Sequence, residues 1–155
     1  DLLATEQVMS MRKWKHHLSV TTYDHSLFVS YVAYRLARRW NCDSSMAARM
    51  GLLHDLYLDD GRDRTAHPGN QCFDHPVAAL RNARELLDLS DKEANIIVSH
   101  MWPLATTMPR SREALILNLA DKACAILEVF YIARLRRIQR WIPDTSAFLP
   151  APALG

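Results

Sequence analysis

The chain has 155 residues, 49% of them hydrophobic and 23% charged, with a net charge of +2 when histidine is neutral. That is enough chain to bury one core and too little for two ordinary domains, and the composition excludes a disordered or membrane-spanning protein. The near balance of charge removes any argument for nucleic-acid binding from total charge.

The amino-terminal stretch "DLLATEQVMSMRKWKHH" holds no apolar run long enough for a signal peptide or a membrane span. From there on, apolar residues recur at three- and four-residue spacing, strand-like alternation is scarce, and the whole chain contains only four glycines. This pattern predicts an all-α, single-domain helical bundle over residues 1–142, followed by a Pro-rich tail over 143–155.

A first helix is expected from about Tyr23 to Trp40, started by Thr22 or Asp24 and lined on one stripe by Phe28, Val32 and Leu36. Asp43, Ser44 and Ser45 offer caps for a second helix through Met46, Met50 and Leu53 to about Leu56. The stretch from Leu58 to Asp74, "LDDGRDRTAHPGNQCFD", reads as a loop of unusual length, and such loops often carry function. A third helix should begin near His75, with Asp74 as cap and Pro76 in its first turn, and end at about Leu87. Ser90 and Glu93 form a capping box for a fourth, which carries Ile96, Ile97 and His100 until Pro103 stops it. Ser111 caps a fifth holding Leu115, Leu119, Ala120 and Ile126.

Cys42, Cys72 and Cys124 are odd in number and form no CxxC pair, so neither a disulfide framework nor a thiolate zinc site is expected, and a reduced cytoplasm fits. The chemistry lies elsewhere. In "GLLHDLYLDD", His54 and Asp55 stand side by side after an apolar stretch, where an unpaired charge would be expensive to bury. A divalent cation supplies the compensation, because neutral imidazole and carboxylate are ligand types for Fe, Mn, Zn, Co or Ni. Other ligands should then sit on other helices near their core faces. His25, His75, His100 and Asp121 do so, which is how a helical bundle builds a metal site.

The ordered set His25, His54-Asp55 and Asp121 resembles the H…HD…D signature of the HD-domain superfamily, over roughly residues 16 to 128. That resemblance implies an all-α fold and a metal-dependent phosphohydrolase. His75 and His100, placed between the HD pair and the last aspartate, resemble the subset with two ions, found in HD-domain diadenosine tetraphosphate hydrolases and cyclic-dinucleotide phosphodiesterases. The stretches "YDHSLFVSYVAYRLA", "AARMGLLHDL", "DHPVAAL", "VSHMWPL" and "LADKACAILE" also look like small stand-alone bacterial HD proteins described only as phosphohydrolases.

By this resemblance His25, His54, Asp55 and Asp121 hold one ion, and Asp55 reaches across to a second held by His75 and His100. Two ions together lower the pKa of a water and neutralise phosphate oxygens, so no covalent protein intermediate is needed. Asp55 and Lys122 are the candidate catalytic residues. Arg62, Arg64, Lys122 and Trp102 are the candidate substrate contacts, for a small phosphorylated molecule such as a nucleotide. Each of these four also has a plainer reading: Lys122 as a solvated lysine, the loop arginines as partners of Asp59, Asp60 and Asp63, and Trp102 as a packing residue. His67 could donate a proton to a leaving group or be a surface histidine, and His16 and His17 read as a polar helix end.

"HDLYLDD" lacks the lysine, and "SHMW" the second histidine, that cyclic-dinucleotide phosphodiesterases carry, and no GYP stretch follows. A cyclic dinucleotide is therefore not the expected substrate, whereas a dinucleoside polyphosphate stays open. Three alternatives remain. One is a mononuclear nucleotidase acting on nucleoside monophosphates, with His75 and His100 as pocket groups. Another is a non-catalytic nucleotide-binding module. The third concerns "EVFYIARLRRIQRWIP", whose arginines could contact nucleic acid or a membrane, but which reads more simply as a solvated helix or a homodimer face.

Overall fold

The computed structural model describes residues 1–17, 20–57 and 71–139, with side chains described for all of these except 15–17, 71–72 and 132–139. The expected all-α bundle is present. A short amino-terminal helix, α1 (Glu6–Ser10), lies between two 3-10 turns and is followed by a small antiparallel hairpin, β1 (Lys15–His17) and β2 (Val20–Thr21). Neither α1 nor the hairpin was legible from periodicity, because both are too short to show a period. The bundle proper is α2 (Thr22–Arg39), α3 (Ser44–Leu53), α4 (Gln71–Leu86), α5 (Asp91–Val98) and α6 (Arg112–Gln139). No helix among the described residues is long and apolar enough to cross a membrane.

Local hydrogen bonds set most of the helix ends. Thr21, rather than the expected Thr22 or Asp24, is the N-cap of α2: its Oγ1 accepts from the Asp24 amide at 3.1 Å and donates to the Asp24 carboxylate at 2.6 Å. The same helix ends in a Schellman motif. The Asn41 and Cys42 amides return to the carbonyls of Arg38 and Ala37, and Asn41 takes the left-handed φ of 53° that asparagine tolerates. Asp43 follows at once and caps α3 by accepting from the Met46 amide at 2.9 Å. Ser90 and Glu93 close the expected capping box of α5, and Ser111 accepts from the Ala114 amide at the start of α6.

Several expectations need correction. α5 ends at Val98, so His100 lies in the turn beyond the helix rather than on it. α3 stops at Leu53 rather than Leu56, which frees its last carbonyls for side chains. α4 begins at Gln71, so His75 is its fifth residue and Asp74 lies in its first turn rather than capping it. Proline before its own first turn is a good start signal, but here the helix forms ahead of Pro76, whose ring is buried. The inward stripe of α2 is His25, Val29, Ala33 and Ala37, while Phe28 is 37% exposed and Val32 and Leu36 pack at the edge of the core. On α6, Ala120 is buried, but Leu115, Leu119 and Ile126 face outward.

The core joins Val29, Ala33, Met50, Leu53, Leu56, Ile96, Ile97, Ile116 and Leu117, with Val8 and Met11 of the amino-terminal segment sealing one side. α2 and α3 make the most extensive helix contact. Small residues permit it: a Cβ added to Gly51 would lie 2.8 Å from the Ser30 Cα, closer than atoms pack. Ser30 Oγ crosses the same seam to the Ala48 carbonyl at 2.8 Å.

Candidate metal centre

The end of α3 explains how a histidine and an aspartate tolerate burial. With the helix finished at Leu53, the Gly51 carbonyl has lost its helical partner, and His54 Nδ1 approaches it at 2.8 Å. A carbonyl only accepts, so Nδ1 carries the proton, and in the neutral ring the lone pair sits on Nε2. The chain repeats this device beyond α5, where His100 Nδ1 donates to the Ile97 carbonyl at 2.7 Å. Two imidazoles thus present Nε2 inward from two different helix ends. On the α4 side, Asn82 Nδ2 donates to the Leu56 carbonyl at 2.9 Å and holds the turn after Asp55.

The other groups arrive from α2, α4 and α6. His25 lies in the first turns of α2, with Nε2 at 3.2 Å from Asp121 Oδ1 and Nδ1 at 3.0 and 3.1 Å from the two oxygens of Glu128. His54 Nε2 stands 3.5 Å from Asp55 Oδ2 and 3.7 Å from Asp121 Oδ1. Asp55 Oδ1 is 3.5 Å from Nε2 of both His75 and His100. Those two nitrogens are 2.8 Å apart. The four rings follow one another in the order His25, His54, His100, His75, with centroid separations of 5.5, 4.9 and 4.9 Å. All six residues expected to be ligands therefore meet. His25, His54, His100, Asp55 and Asp121 are buried, and His75 is half-buried.

The electrostatics follow from burial and these contacts. Burial and the neighbouring His54 and His75 press His100 down to about 3, so it stays a neutral donor. Burial also opposes charge on His25, yet the carboxylates of Asp121, Glu128 and Asp55 outweigh it and raise that imidazole to about 10. His54 is raised in the same way, by Asp55 and Asp121 against burial. Burial would raise Asp121, but His25 and His54 hold its carboxyl well below the usual range. The donor set fits a cation. His54 Nε2 is buried and makes no hydrogen bond among the described residues, and three overlapping triplets of ligand atoms lie within 4.8 Å of one another. These triplets are His25, His54 and Asp55; His54, His100 and Asp121; and Asp55, His75 and His100.

The remaining candidates fare differently. Lys122 is half-buried, and its Nζ donates to the His100 carbonyl at 2.9 Å, while burial lowers its pKa. Trp102 lies two residues beyond His100, and its carbonyl accepts from Asn118 Nδ2 at 2.6 Å. Arg62, Arg64 and His67 lie outside the described residues, as do Arg140, Trp141 and the 143–155 tail. His16 and His17 lie on β1 rather than at the expected polar helix end, and their side chains are outside the described residues. Two residues of α6 escaped the sequence reading. Asn118 clamps the turn bearing His100: its Nδ2 donates to the carbonyls of His100 and Trp102, with the Ser99 carbonyl sharing one of these hydrogens at 3.3 Å. Glu128 receives His25; its only trace in the sequence is an acid two helical turns after Asp121 within an apolar run.

A family model described as the HD domain matches residues 22–126. The span takes in all six converging histidines and aspartates. No curated protein and no solved structure matches the chain.

Proposed function

The chain belongs to the HD-domain family, and on that premise we propose that it is a metal-dependent phosphohydrolase with a two-ion centre, acting on a small phosphorylated molecule such as a nucleotide. The observation that carries this reading is the placement of Asp55 between two groups of imidazoles. One of its oxygens faces His54 and the other faces His75 and His100, each at 3.5 Å. His25, His54, Asp55 and Asp121 would hold one ion, and His75, His100 and Asp55 the other. Ions held there would supply an activated water and would offset charge on the phosphoryl oxygens.

The protein's own groups position and insulate. Gly51 and Ile97 carbonyls fix the His54 and His100 tautomers, and burial keeps competing water away from the inner face. Lys122 uses one N–H on the His100 carbonyl, which leaves two donors on its ammonium for a phosphate oxygen. Arg62, Arg64 and Trp102 are the further substrate contacts in this reading. The free thiols of Cys42 and Cys124 fit a reducing compartment such as the cytoplasm.

Elemental analysis of chelator-free protein, paired with a phosphate-release screen over nucleoside mono-, di- and dinucleoside polyphosphates, tests the proposal. Two divalent ions per chain and metal-dependent release are expected; protein that takes up no divalent ion and releases no phosphate overturns it. One observation favours a mononuclear enzyme instead. The 2.8 Å separation of His75 and His100 Nε2 suits an N–H···N hydrogen bond, whereas nitrogens sharing a tetrahedral ion at about 2.1 Å sit roughly 3.4 Å apart. A single ion per chain, retained after His75→Ala, would decide for that reading.

A further inference from the structure

His25 is held differently from the other deeply buried histidines. His54 and His100 each give Nδ1–H to a main-chain carbonyl, but His25 Nδ1 meets both oxygens of the Glu128 carboxylate, at 3.0 and 3.1 Å. Glu128 stands seven residues after Asp121 on α6, two turns along the same face, so one helix touches both edges of one imidazole. Asp121 Oδ1 lies on the Nε2 edge at 3.2 Å and Glu128 on the Nδ1 edge. Both residues are buried, each only 8% exposed. Among the described residues the ion-pair contact of Glu128 is His25, so the cost of burying this carboxylate is met through that ring. The residue lies beyond the 22–126 span of the family match.

We propose that Glu128 is a positioning residue for the inner ion: it fixes the His25 ring with Nδ1 protonated and Nε2 facing Asp121, and its charge strengthens Nε2 as a donor. This rests on the two-ion reading above. A carboxylate behind a ligating imidazole raises ligand basicity and restricts ring rotation, and loss of such a group weakens metal binding by about 10- to 100-fold. The outer ion has no such carboxylate at His100, whose Nδ1 uses the Ile97 carbonyl. Glu128 therefore sets His25 apart from His54 and His100.

The test is a competition titration of full-length protein with Mn2+ or Co2+ against a chelator, for the unmodified chain, Glu128→Gln and Glu128→Ala. Glu128→Ala should weaken the tighter site by about 10- to 100-fold and leave the weaker site within about twofold. Glu128→Gln keeps an oxygen to accept the Nδ1 proton but lacks the charge, and should fall between the two. Melting of the metal-free proteins is read alongside. Variants that melt earlier yet bind both ions as the unmodified chain does would make Glu128 a stabilising residue only and overturn the proposal. Should Glu128→Ala not fold, the nearly isosteric Glu128→Gln decides alone, unchanged affinity counting against it. Unmodified protein that binds no divalent ion would remove the two-ion reading itself, and the role of Glu128 with it; unchanged affinities in the variants remove only the latter.

Discussion

The two ends of the imidazole row are built to different standards. At the inner end, His25, His54 and Asp121 come from α2, the end of α3 and α6, and no ring atom of either histidine is open to solvent. This end rests on the most extensive helix contact among the described residues and on two buried α6 carboxylates. At the outer end, His75 is carried by α4 and is half-buried, and its partner His100 sits in a turn held by Asn118 and Lys122. In the proposed two-ion centre the difference would separate two requirements of metal catalysis. An ion that must stay needs rigid, desolvated ligands, whereas a reacting group needs a side that substrate can reach.

Removing the group shared by both ends should have the largest effect. Asp55→Ala is expected to strip both ions and take turnover to background, read by elemental analysis and phosphate release. Full metal content in that variant would break the comparison at its hinge. Next come the single-end variants: His100→Ala should lose the outer ion and keep the inner, and a variant that lost both would show that the ends are not separable. Gly51→Ala strikes the seam under the inner end. The added methyl cannot avoid the Ser30 backbone at 2.8 Å, so overpacking should destabilise by about 1–3 kcal/mol, or roughly 3–10 °C in melting temperature. It should also weaken the inner ion more than the outer.

A separate effect is expected in the pH dependence of the metal-free protein, where the two ends have opposite signs. His25 is raised to about 10, so its stabilising contribution is complete below its ordinary value of 6.5 and is lost as pH climbs through 10. His100 is lowered to about 3, so its contribution is present above 6.5 and lost as pH falls toward 3. The lowered Asp121 carboxyl adds to that acid limb. Urea melts across this range should therefore show stability falling on both sides. His100→Gln should make the acid limb shallower and leave the alkaline limb in place; an unaltered acid limb would contradict the assignment.

The helix starts at Asp43, Ser90 and Ser111 were legible because a cap is a contact within three residues, written locally in the chain. The six converging histidines and aspartates were legible for a different reason: charged and imidazole groups beside apolar stripes demand a shared partner. The faces of α2 and α6 were not. Phe28, Leu115 and Leu119 satisfy the apolar period as well as Val29 and Ala120 do, and their exposure depends on which neighbour is opposite.

The amino-acid sequence by itself determined the helical class, the starts of α3, α5 and α6 and which histidines and aspartates converge, since each follows from contacts between near neighbours or from the cost of burying charge. Only the tertiary structure decided that α3 stops in time to give His54 a carbonyl, that Gly51 lets α2 close onto α3, and that Glu128 reaches His25 across 103 positions. Those outcomes depend on interhelical distances and angles. Packing volumes of residues far apart in the chain set these, and no spacing along the sequence encodes them.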